Sequence, residues 1–188
     1  MKWNFNQNKI FGHLGESVCE STFGMLGFDV EKTGIEMATP FLTSNLKRSS
    51  QKVSQTYGKE VVDSLRRTPD FIVSRVNKNF VTEVMYVEAK FRYCSSYTDL
   101  VKTQEGLRQK LVENSTHNKT TLIFLVTNPI AEMYSEPNCV WLLYSRHPEN
   151  WVSARSSGKF SIFRADNGQS LSSIVANDID PVIKRIFA

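Results

Sequence analysis

The 188-residue chain carries 40% hydrophobic residues, enough for a core of ordinary domain size, so a single independently folding domain is expected. Its 22% charged residues, with only 9 Gly and 6 Pro, exclude wholesale disorder and fibrous repeats. The formal net charge of +4 is compatible with a polyanionic partner without requiring one. No apolar run approaches the roughly 20 residues of a membrane span. The opening MKWNFNQNKI also lacks the apolar core of a signal peptide, so a cytoplasmic location and no membrane partner are expected. Cys19, Cys94 and Cys139 are far apart and read as small buried hydrophobes, while His13, His117 and His147 are isolated. A histidine-rich metal site or a Ser/His/Asp triad therefore has little support, and any metal would be held by oxygen.

From Gly12 to Met25 the apolar Leu14, Val18 and Met25 fall at helical spacing, and Gly27 followed by Phe28 reads as a helix C-terminus with a left-handed glycine. At ~100° per residue, Glu16 lies about opposite that stripe. GFDVEKTGIEM then predicts a first strand with a turn. Residues 41–67, FLTSNLKRSSQKVSQTYGKEVVDSLRR, form an insertion whose second half has helical character. This stretch holds Lys47, Arg48, Lys52, Lys59, Arg66 and Arg67 against Glu60 and Asp63, an excess equal to the +4 of the whole chain. It reads either as a solvated surface or as an arm tracking a phosphate backbone, with Lys47, Arg48, Lys52, Arg66 and Arg67 as nucleic-acid contacts.

Residues 70–75 and FVTEVMYVEAKFRY predict a second and a third strand, with a hairpin at Asn77 to Asn79. Alternation sets Glu88, Lys90 and Arg92 on one face of the third strand and Val87, Ala89 and Phe91 on the other; the charged face is expected to have no core to fill. Pro69 cannot donate to a ladder and marks a strand end, so Asp70 begins the neighbouring strand. Two carboxylates and an ammonium then converge at one edge of the sheet.

Leu100, Leu107 and Leu111 predict a helix from Thr98 to Asn114, with Thr98 as N-cap. TTLIFLVTN is a strand buried on both faces, expected to run parallel to the third strand across this helical crossover. CVWLLYS and KFSIFRA read as further strands. Asp180 before Pro181 predicts the N-cap of a final helix, PVIKRIFA. The expected architecture is α/β, a mixed central sheet flanked by helices. One domain spans 1–188, with a core of about 11–128, the insertion 41–67 and a C-terminal extension 139–188.

The Asp70, Glu88 and Lys90 trio suits phosphodiester hydrolysis. Mg²⁺ takes oxygen ligands and uses one or two protein carboxylates, so Asp70, Glu88 and the carbonyl of Ala89 form a plausible donor set, with Lys90 orienting the nucleophile or neutralising the transition state. No phosphate-binding glycine loop of the P-loop or dinucleotide type is present.

Pro69-Asp70 followed eighteen residues after Asp70 by Glu88-Ala89-Lys90 resembles the signature of the PD-(D/E)XK nuclease superfamily, the restriction-endonuclease-like fold. The resemblance covers about residues 11–128 and implies a core of order α-β-β-β-α-β. GESVCESTFGMLGFDV is similar in layout to archaeal-type Holliday junction resolvases and to restriction enzymes that share it. What this implies is a Mg²⁺-dependent endonuclease, with Mn²⁺ able to substitute, acting on nucleic acid, DNA in the first place, as a homodimer or in a larger complex. Asp70, Glu88 and Lys90 would be catalytic. Glu16, on the first helix, would join them and help hold the metal, while Arg92 and Gln104 would contact nucleic acid. The insertion and the extension, with Trp141, Trp151 and Arg155, depart from the compact resolvase pattern. The alternatives are a catalytically silent nucleic-acid- or protein-binding module of the same fold, an enzyme of unrelated chemistry using the carboxylates as general acid and base, and an ordinary solvated sheet face.

Overall fold

The computed structural model describes residues 5–33, 68–76, 80, 82–113, 120–130, 138–146, 148, 150–159, 163–165 and 167–188. The basic insertion 41–67, with Lys47, Arg48, Lys52, Arg66 and Arg67, and the turn at 77–79 lie outside the described residues.

Helix α1 (Phe5–Met25) starts earlier than its apolar spacing predicts. Its buried arc is Gly15, Val18, Cys19, Thr22, Phe23 and Leu26, whereas Met25 is exposed. The contact face is thus rotated from the Leu14/Val18/Met25 stripe. Glu16 flanks the buried face and does not stand opposite it. The helix ends as predicted: Gly27 has φ 79°, and the Phe28 N–H donates to the Phe23 carbonyl at 3.0 Å while the two rings meet edge to face at 5.5 Å.

Strands β1 (Asp29–Lys32), β2 (Phe71–Val76) and β3 (Thr82–Arg92) meander antiparallel. Helix α2 (Tyr97–Glu113) then crosses to β4 (Leu122–Thr127), which runs parallel to β3. Strands β5 (Val140–Tyr144) and β6 (Trp151–Ser153) add antiparallel neighbours, so the six-stranded mixed sheet follows chain order from β1 to β6. All six residues of β4 are buried, as its continuous apolar run requires.

Helix α2 is capped by Ser96, whose Oγ accepts from the Asp99 N–H at 3.2 Å, not by Thr98. The sixth strand is Trp151–Ser153; of KFSIFRA, only Arg164 takes part in a described pairing, an isolated bridge to Ser170. The final helix begins before Asp180. Ser170 closes a reciprocal capping box with Ser173, and the helix runs through α3 (Leu171–Ile174) and a π turn (Val175–Ile179) into α4 (Asp180–Phe187). Asp180 is therefore no N-cap. It is fully buried, accepting from the Cys139 N–H at 3.1 Å and the Arg155 Nε at 2.7 Å, and burial raises its pKa.

Both sheet faces are covered. On one, α1, α3 and α4 pack around Phe23, Phe71, Phe124, Val87 and Ile183. On the other, Leu100, Leu107 and Leu111 of α2 pack on Ile123, Leu125 and Trp141. Glu88 and Lys90 pair laterally with Ile123 and Leu125, so they share the α2 side. The charged face of β3 does adjoin a core, and its charges are half-buried for that reason. No described helix is long and apolar enough to cross a membrane.

Candidate active site at the ends of β2 and β3

Pro69 and Asp70 enter β2 tied to the end of β1. The Thr33 Oγ1 donates to the Pro69 carbonyl at 2.8 Å, and the Thr33 N–H donates to the Asp70 carbonyl at 3.0 Å. The last β2–β3 pair is Phe71 with Val87, which leaves Asp70 one step beyond the ladder, opposite Glu88. There its side chain substitutes for a backbone acceptor: the Ala89 N–H donates to Asp70 Oδ2 at 2.9 Å. A charge-assisted bond of this kind fixes the carboxylate against β3.

Lys90 closes the group. Its Nζ lies 2.5 Å from Glu88 Oε1 and 3.4 Å from Asp70 Oδ2. The three side chains retain 26–28% of their exposure, so they are open to a ligand yet partly desolvated. Burial pushes the Glu88 carboxyl up against the pull of Lys90. Burial also pulls the Lys90 ammonium down, but the charges of Glu88 and Asp70 outweigh it and its pKa stands above the ordinary lysine value. Lys90 is thus a cation at neutral pH, bridging two carboxylates.

Helix α1 reaches this strand end through Gly15. A Cβ there would meet the Phe91 nitrogen at 3.0 Å and the Lys90 carbonyl carbon at 3.1 Å, so any larger side chain would push the two backbones apart by a few tenths of an ångström. The next residue, Glu16, is half-buried, its Oε2 3.8 Å from His13 Nδ1. The buried Cys19 thiol is held well above its ordinary pKa by burial and then by the charges of Asp70, Glu20 and Glu16. Glu20 bonds Lys32 of β1 at 2.9 Å, and that bond and charge raise the Lys32 pKa. Sequence reasoning passed over the Glu20–Lys32 pair; the only signal was the four-residue spacing of Glu16 and Glu20, which sets both on one helix flank.

The structure thus brings Asp70, Glu88, Ala89 and Lys90 into direct contact, whereas Glu16 has no described hydrogen bond or ion pair to any of them. Arg92 is exposed two residues along the same face of β3, its guanidinium donating to the Phe91 carbonyl at 2.7 Å. Gln104 is elsewhere: its carbonyl accepts from Trp151 Nε1 of β6 at 3.1 Å, and no described contact links it to Asp70, Glu88 or Lys90. Its buried Nε2 has no hydrogen-bond partner among the described residues.

Among the described residues no three carboxylate, imidazole or thiol groups stand together at metal-holding distance. The available donor set is two carboxylates whose oxygens already share one cationic group, Lys90, with the Ala89 carbonyl between them. Two carboxylates are what Mg²⁺ commonly takes from protein, so the set fits a hard divalent cation. The chain has no significant match to a family model, a curated protein or a solved structure.

Proposed function

We propose that this chain is a cytoplasmic, metal-dependent endonuclease of the PD-(D/E)XK type that hydrolyses phosphodiester bonds in nucleic acid, DNA in the first place. The reading rests on one observation above all: Asp70, one step past the β2–β3 ladder, accepts from the Ala89 N–H while Lys90 bonds both Asp70 and Glu88. It is supported by the order α1, β1, β2, β3, α2, β4 with β4 parallel to β3, the succession a restriction-endonuclease-like core would require.

Asp70 and Glu88, with the Ala89 carbonyl, would hold Mg²⁺ or Mn²⁺, and Glu16 would support it from α1. When bound, the ion supplies charge neutralisation at the phosphate and a more acidic water. The residues of the chain do the rest. The Ala89 N–H fixes the Asp70 carboxylate, so its position is set by the backbone of β3 and not by side-chain rotamers. The Lys90 ammonium, turned from the carboxylates toward a scissile phosphate, offsets the charge that accumulates on the non-bridging oxygens. A water oxygen bonds to phosphorus as the bond to the ester oxygen breaks; the water loses a proton and the leaving oxygen gains one.

The test is a panel of labelled linear duplex, single strand, supercoiled plasmid, four-way junction and RNA, incubated with Mg²⁺ or Mn²⁺ against EDTA. Metal-dependent cutting of any substrate is the expected result. Salt-sensitive binding without cutting of any substrate would overturn the nuclease reading in favour of a silent binding module.

A further inference from the structure

The β2–β3 ladder stops where its next bonded pair would fall. Its last pair is Phe71 with Val87, so continuing the register two residues along each strand sets Pro69 opposite Ala89. Along a strand of an antiparallel sheet, successive main-chain groups point alternately to the two neighbouring strands. The Thr33 N–H donates to the Asp70 carbonyl at 3.0 Å, so the main chain of Asp70 faces β1 and that of Pro69 is due to face β3. A continued ladder would therefore join the Ala89 N–H to the Pro69 carbonyl.

Both groups have taken other partners. The Ala89 N–H donates to Asp70 Oδ2 at 2.9 Å, and the Pro69 carbonyl accepts from Thr33 Oγ1 at 2.8 Å. Pro69 is buried and has no N–H to return to Ala89, so its pairing with β3 could be only half made. A buried carbonyl left without a donor is costly, and the Thr33 hydroxyl supplies one. The strand that carries Thr33 is itself held: Lys32 pairs with Phe71, and its Nζ bonds Glu20 of α1 at 2.9 Å. Satisfying one buried carbonyl accounts for the Thr33–Pro69 bond taken alone. It does not account for the passage of the Ala89 N–H to a carboxylate, which requires the Pro69 carbonyl to be engaged elsewhere.

We infer that Thr33 is a positioning residue of the candidate site: by holding the Pro69 carbonyl, its hydroxyl leaves the Ala89 N–H to the Asp70 carboxylate and so sets that carboxylate beside Glu88 and Lys90. The inference rests on the proposed function for its catalytic meaning and adds to it a residue of β1. Thr33 acts through Pro69 and Asp70, not on the substrate. Without the hydroxyl, the Pro69 carbonyl turns back to Ala89, and Asp70 Oδ2 keeps, of its described bonds, only the one to Lys90 at 3.4 Å. Valine has the shape of threonine without the hydroxyl; serine keeps the hydroxyl without the methyl group.

The experiment compares the full chain as wild type, Thr33→Val and Thr33→Ser. In the metal-free protein, NMR scalar coupling across the hydrogen bond identifies the acceptor of the Ala89 N–H. Single-turnover cleavage with Mn²⁺ and oligonucleotide binding in EDTA are measured on the same samples. Wild type and Thr33→Ser should show Ala89 coupled to the side-chain carboxyl carbon of Asp70. Thr33→Val should lose that coupling and cut more slowly by roughly tenfold or more, with binding unchanged, and Thr33→Ser should recover the rate. A Thr33→Val protein that keeps the Asp70 coupling, or loses it and cuts at the wild-type rate, would overturn the positioning role. Thr33→Ala, which also lacks the hydroxyl, takes its place should Thr33→Val not fold. Coupling of wild-type Ala89 to the Pro69 carbonyl carbon would overturn the inference without any variant. If the wild type cuts no substrate, the proposed function fails, and the hold of Thr33 on Asp70 is decided by the coupling alone.

Discussion

At Gly15 the main chain of α1 lies against the main chain of β3, and neither partner can give way as a flexible side chain would. Gly15→Val should therefore cost about 1–3 kcal/mol in stability through overpacking, and it should also impair cleavage because the strain falls on the backbone of Lys90 and Phe91. A denaturation midpoint equal to wild type would contradict the close packing. The cysteines are a second residue-scale case. All three are buried, and burial pushes the Cys94 thiol up to about 11 and raises Cys19 and Cys139 as well. As only the thiolate reacts, iodoacetamide at pH 8 should modify none of them in the native protein and all three in denaturant. Rapid labelling of native Cys94 would show that its pocket opens.

The elements differ in what holds them. Strand β3 alternates buried and half-buried residues from Met85 to Phe91, and β4 is buried throughout; both were legible because a period of two and a continuous apolar run are local signals. Helix α1 was legible in kind but not in phase. Its contact face mixes Val18, Phe23 and Leu26 with Gly15, Cys19 and Thr22, small residues that permit close packing yet blur the apolar periodicity, whereas the conspicuous Met25 faces outward. Asp180 was misread for a different reason. Asp-Pro is a sound local start signal, but partners 41 and 25 residues away, Cys139 and Arg155, take the carboxylate into the interior. Asp180→Ala removes a carboxylate that accepts from both the Arg155 Nε and the Cys139 N–H, a loss of about 3 kcal/mol. Asp180→Asn, which can still accept from the Cys139 N–H, should lose less. Equal midpoints for Asp180→Ala and wild type in urea would show that the pair is not a structural clamp.

At the scale of the whole molecule, the candidate site forms where separate parts of the chain meet: α1 through Gly15, the entry to β2 through Asp70, and the end of β3 through Glu88 and Lys90. The convergence of Asp70 with Glu88-Ala89-Lys90 was legible because strand alternation and a strand-ending proline are local rules. The contribution of α1 was less so, since it depends on a rotation of the helix that tertiary packing decides. The second, α2-bearing core beside the charged face of β3 was not foreseen either, and it is what leaves Glu88 and Lys90 half-buried and electrically coupled.

The most direct test is the single-turnover rate of Mn²⁺-dependent phosphodiester cleavage by wild type and by Lys90→Ala, with oligonucleotide binding and thermal unfolding measured on the same samples. The account predicts a rate at least ~100-fold lower in the variant, the scale expected when one transition-state charge partner is removed, with folding and most of the binding kept. Undiminished cleavage by a folded Lys90→Ala protein would contradict it, because the chemistry would then be performed somewhere other than at the meeting of β2 and β3.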